Sequence, residues 1–170
     1  MIKEKTFPIL KNKISIDKNK EARKKLFEKK LFLLMTAIYC EDMVRDSKKS
    51  ISKYKFEEGI DEFINKNPKL WKYKINDTYY EIIMKAFRRT DRCPHSFYKT
   101  FCHQCPTTCY KSEDLEHIEP IMKYAGRKIM MRHPIIGLKF VINLLMAKNL
   151  INKNKDRENY DMYPLYWTNQ

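Results

Sequence analysis

At 170 residues the chain is long enough to bury one core unaided, and it reads as one domain with tails. With only 3 glycines and plentiful aromatic and long aliphatic residues, it speaks against a turn-rich β fold and for long helices. Its net charge is +14, and residues 1–30 carry half of that excess, with 11 Lys+Arg against 4 Asp+Glu. A polyanion such as nucleic acid is therefore admissible as a partner, although the basic residues are mostly lysine, and arginine reads phosphates better.

In chain order, residues 1–18 are lysine-rich and aperiodic and form a basic N-terminal arm. A long helix is expected from Asp17 or Asn19 to about Arg45. Leu26, Phe27, Leu31, Leu34, Met35, Ile38, Met43 and Val44 follow one another at helical steps along a single stripe. Residues 46–77 are less regular. Ile51, Tyr54 and Phe56 fit an extension of the helix, Asp61 to Asn65 a short helical turn stopped by Asn67-Pro68, and the alternation of Trp71, Tyr73 and Ile75 with lysines a short strand. A helix over Thr78–Thr90 places Ile82, Ile83, Ala86 and Phe87 inward. Ser112 is the expected N-cap of the next helix, with Glu113 and Asp114 in its first turn. Pro120 should kink or divide that helix, and Gly126 should interrupt or end it. A last helix opens at His133-Pro134, with Ile135, Leu138, Val141, Leu144 and Leu145 as its apolar face and Lys139 facing solvent or snorkelling. Residues 151–170 form a polar, aromatic tail, leaving 19–150 as the helical domain.

The start has no apolar signal segment, and Pro134 to Ile151 is interrupted by Lys139 and Lys148, so neither secretion nor a membrane span is expected. The expected compartment is the cytoplasm, where clustered cysteines serve as metal ligands or redox thiols more often than as disulfides. Four of the five cysteines fall within seventeen residues, as Cys93-x8-Cys102-x2-Cys105-x3-Cys109. A two-residue gap sets two thiolates on one side of a tight turn, and four thiolates suit tetrahedral zinc or an iron–sulfur cluster, which spacing does not separate. Cys109 stands at the entry to a helix, whose amide end favours thiolates, and Arg92, Lys99 and Lys111 would offset the charge. Cys40 is a fifth candidate ligand, a redox partner or a core residue. His95 and His103 lie within the cluster as replacement ligands, as donors to the ligands or as surface residues, and Glu41 and Asp42, which follow Cys40, could hold a proton or a metal or form a solvated helix face. No glycine-rich phosphate loop, nucleophile elbow or paired carboxylates at helical spacing near a histidine occurs, so no enzyme class is assigned.

The segments Ala37-Ile38-Tyr39-Cys40, Asp91-Arg92-Cys93-Pro94, Cys102-x2-Cys105-Pro106-x2-Cys109-Tyr110-Lys111, Ile121-Met122-Lys123-Tyr124-Ala125-Gly126-Arg127-Lys128-Ile129-Met130 and His133-Pro134 resemble the nitrous oxide-stimulated promoter family of small bacterial proteins. That resemblance implies a role in the response to nitric oxide, with no reaction specified. It implies a further Cys-x2-Cys pair between the first two elements. The corresponding stretch here, around Asn76 to Tyr80, holds no cysteine, so the four-cysteine site stands alone.

The expectation is a mainly α protein: a small helical domain with a cysteine-rich metal-binding loop between helices, in which Cys93, Cys102, Cys105 and Cys109, with Cys40 as a candidate fifth ligand, bind zinc or an iron–sulfur cluster in nitrosative-stress physiology. One rival is a nucleic-acid-binding regulator with a structural metal, contacting phosphates through Arg88, Arg89, Arg127 and Arg132. Another is a thiol redox protein cycling Cys102 and Cys105. No membrane partner is expected, and a protein partner is left open.

Overall fold

The computed structural model describes residues 18–93 and 110–155, which form five α-helices with two short strands and two 3-10 turns between the first and the third. The order is α1 (Lys18–Met43), β1 (Lys49–Ser50), a 3-10 turn (Ile51–Lys53), α2 (Glu58–Asn65), a second 3-10 turn (Pro68–Lys72), β2 (Lys74–Ile75), α3 (Asp77–Asp91), α4 (Ser112–Arg132) and α5 (Pro134–Lys155). The basic arm, Cys102, Cys105, Cys109, His95, His103 and the aromatic tail from 156 onward lie outside the described residues.

Helix α1 has neither glycine nor proline and is rich in leucine, lysine, glutamate and alanine, all strong helix formers. Its second half is the axis of the fold rather than an amphipathic wall. Leu31, Leu33, Leu34, Met35, Ala37, Ile38 and Cys40 are all buried, while Met43, expected inside, is exposed. Helices α3 and α4 pack along α1, and α2 and β2 close remaining sides, so a single stripe became a surface covered on all sides. Each fully buried leucine or isoleucine of this kind contributes about 1.5–3 kcal/mol. Thr36, the buried polar residue in this stretch, donates its hydroxyl to the Phe32 carbonyl at 2.9 Å, which keeps the apolar environment free of an unmet donor.

The helix does not extend through Ile51 and Phe56. Residues 49–75 instead form a compact hairpin in which β1 pairs antiparallel with β2, Lys49 opposite Ile75 and Ser50 opposite Lys74. The Ile51 amide donates to the Tyr73 carbonyl at 3.0 Å, and the Ser50 hydroxyl to the Trp71 carbonyl at 2.7 Å. The expected strand around Trp71 shrinks to two residues because Pro68 opens a 3-10 turn that consumes Trp71. Helix α3 begins where Asn76 accepts the Tyr79 amide at 3.0 Å, an N-cap of the usual type.

Helix α4 is capped by Lys111 rather than Ser112, and it runs unbroken through both Pro120 and Gly126 to Arg132. The carbonyl that Pro120 leaves without an amide belongs to Glu116, an exposed residue, so water can meet it. Helix α5 starts at Pro134 as expected and reaches Lys155, into the stretch assigned to the tail. Of its expected apolar face only Leu144 is packed on the core, and Val141 is half-buried. Ile136, Phe140 and Leu144 pack on the core, whereas Ile135, Leu138 and Leu145 are exposed. No helix among the described residues is long and apolar enough to cross a membrane.

Candidate functional site

In the sequence, the cysteine-bearing segment runs from the end of α3 to the start of α4. Lys85 of α3 pairs with Asp114 of α4 at 3.0 Å, and Tyr79 meets His117 edge-on at 6.2 Å. The two helices therefore run antiparallel, with the α3 exit and the α4 entry at the same end of the pair. The first amides of α4 have no side-chain cap and form the positive end of that helix.

The α3 exit is held by two lysines of α1. Lys29 is buried at 5 % exposure and places its ammonium 2.5 Å from Glu57 and 2.7 Å from Asp91. Lys25 donates to the Asp91 carbonyl at 3.0 Å, where the carbonyl end of the helix favours a cation. Two residues later Cys93 is half-buried, a free thiol, with its amide bonded to the Thr90 carbonyl at 3.3 Å. Arg88, Arg89 and Arg92 surround this exit with exposed or half-exposed positive charge. Sequence reasoning passed over Lys29. Its signal was a lysine three residues after Leu26 and four before Leu33, on the apolar side of α1.

Cys40 is placed elsewhere. It is fully buried, and burial pushes its thiol up to about 12, so it stays protonated and unreactive at neutral pH. Its neighbour Tyr39 packs against Tyr79 in the first turn of α3, at 5.9 Å between rings, whereas Lys25 and Lys29 meet the last turn. Cys40 and Cys93 thus stand at opposite ends of the α1–α3 pair, separated by on the order of 20 Å of helix. A metal held through Cys93 is out of reach of Cys40, which packs as a core residue.

The other candidates are engaged in the fold. Arg132 reaches Glu41 at 2.6 Å and Asp42 at 2.7 Å, and Tyr124 donates to Asp42 at 2.8 Å. Burial alone would raise the Asp42 carboxyl, but the hydrogen bonds from Arg132 and Tyr124 and the Arg132 charge outweigh it and hold the group below its ordinary value. Glu41 and Asp42 therefore anchor α4 to α1, and Arg132 is committed to them rather than presented to a phosphate. His133 closes α4, with its Nε2 2.9 Å from the Tyr73 hydroxyl, and His117 is exposed. Burial lowers the His133 pKa, with Lys72 and Arg132 adding to the effect. Among the described residues no group of three histidine, cysteine or acidic side chains gathers as a metal site. Three of the four clustered cysteines lie outside those residues.

A family model described as nitrous oxide-stimulated promoter matches residues 23–155. The chain is also 34 % identical over 65 residues to the uncharacterized protein YgbA of Escherichia coli (strain K12), a match covering 38 % of this chain and 56 % of that protein. The chain thus spans little more than half the length of that relative. No solved structure matches.

Proposed function

This chain belongs to the nitrous oxide-stimulated promoter family, and on that premise we propose that it is a metal-binding protein of the cellular response to nitrogen oxides, holding zinc or an iron–sulfur cluster through Cys93, Cys102, Cys105 and Cys109. The observation that carries the reading is the spacing of those four cysteines, which bridges α3 and α4 and begins at a free, half-buried thiol. The donor set fits either group, since four thiolates complete a tetrahedral zinc site or a [4Fe–4S] cluster. Thiolate-bound metal supplies the reactivity towards nitric oxide that such a role requires.

The chain's own part is electrostatic and positional. Lys25 and Lys29 fix the last turn of α3, so Cys93 emerges from an anchored base. Arg88, Arg89 and Arg92 on one side and the α4 amides on the other offset accumulated thiolate charge. Cys40 is left to the core. Single substitutions test this assignment: Cys102→Ser and Cys105→Ser should each abolish stoichiometric metal, while Cys40→Ser should leave bound metal intact. Metal retained in the first two variants would defeat the assignment.

The exposed Arg88 and Arg89 and the charge of +14 favour one further reading, a nucleic-acid-binding regulator in which the metal is structural. Retention on DNA or RNA that falls steeply with added salt would support it, and absence of retention at low salt would remove it.

A further inference from the structure

Helix α5 is apolar on two opposite faces, and this chain covers one of them. Ile136, Phe140 and Leu144 pack inward. On the far side Ile135, Leu138, Ile142 and Leu145 recur at steps of three, four and three, with Met146 alongside, and Met131 in the last turn of α4 is exposed as well. Ile135 is 84 % exposed and Met131 79 %, and the other four are between 48 and 57 % exposed. From Pro134 to Met146 the helix carries a single charge, Lys139, whose ammonium lies over the Phe27 ring of α1 at 4.8 Å. A helix apolar all round is normally buried all round.

We propose that this face is a dimerisation surface, and that its occupant is the same face of a second copy of this chain, in a two-fold, isologous contact. Three observations select that occupant. The 3-4-3 spacing is the seam that a like helix meets by knobs-into-holes packing, and it is self-complementary. Together the six side chains leave on the order of 750 Å² in water, close to the ~800 Å² per partner of a standard protein–protein interface. The seam residues themselves are uncharged, and the bordering Lys139 lies over the Phe27 ring, so two copies that each carry +14 can meet there with no charge in the seam itself. The surface is independent of the cysteine site and of the function proposed for it.

The charge gives the proposal a signature. Repulsion between two basic copies acts at long range and is screened by salt, so dimerisation should tighten as salt rises. Docking on an anionic membrane or an acidic partner would weaken instead. Sedimentation equilibrium of the full-length protein at 50 mM and 500 mM NaCl should give a dimer, with the stronger association at 500 mM. Ile135→Glu and Leu138→Lys should each be monomeric with unchanged thermal unfolding at low protein concentration, since both positions are exposed. Met43→Glu, exposed but outside the patch, should remain dimeric. A wild-type monomer at both salt concentrations would overturn the proposal. So would binding to anionic phosphatidylserine vesicles that Ile135→Glu abolishes, with the protein monomeric in solution.

Discussion

Lys29 and Cys40 behave against residue type, and both do so through burial. Lys29 is a buried cation whose two carboxylate partners, Glu57 and Asp91, come from different elements and remain partly in water. Lys29→Met should cost roughly 1–3 kcal/mol, less than breaking a fully buried pair because the stranded carboxylates can hydrate. A shift of the urea midpoint to lower concentration with an unchanged slope would record it. Cys40 has a thiol held near 12, so it should resist iodoacetamide in the native protein at pH 8 and react only after denaturation. Mass spectrometry of labelled peptides reads this directly, and labelling of native Cys40 at the rate seen after denaturation would contradict the core assignment. The role of Cys40 was not legible in the sequence. Its apolar neighbours Ile38 and Tyr39 fit a core position equally with one beside a metal, and only the antiparallel packing of α1 and α3 separates it from Cys93.

At the scale of elements, the turn from α4 to α5 depends on Gly137. A Cβ there would lie 2.9 Å from the Met130 Cα, a backbone atom with no freedom to move aside, and closer still to the Met130 sulfur. Gly137→Ala should therefore destabilise the protein by about 1–2 kcal/mol, despite the better helix propensity of alanine, and a lowered melting temperature would show it. The helices themselves were legible. The expected Thr78–Thr90 became Asp77–Asp91, and His133-Pro134 did open the last helix, because caps and periodicity act locally. Residues 46–77 were legible only in part: the helical turn expected over Asp61 to Asn65 lies within α2, but two-residue strands and 3-10 turns are held by contacts such as Ile51 to Tyr73, distant in sequence. The inner face of α5 was legible only at Leu144: where both faces are apolar, periodicity cannot choose between them, and the close passage at Gly137 sets the rotation.

For the whole molecule, pH should act through the junction of α4 with the hairpin, where His133 meets Tyr73. Burial keeps the His133 pKa below its ordinary 6.5. Well above pH 6.5 the ring is neutral in both folded and unfolded states. As pH falls below that, the unfolded chain takes the proton first, and stability declines until the folded value is passed. His133→Asn should remove this part of the acid dependence, which urea unfolding at pH 7.5 and 5.5 can compare. The fold brings together the two helix ends that flank the cysteine segment, and the four-cysteine spacing remains the basis of the metal assignment. The most direct test is the metal content and visible spectrum of the wild-type protein purified anaerobically. The account predicts about one zinc per chain with no colour, or a brown protein with about four irons per chain; protein containing neither zinc nor iron would contradict it.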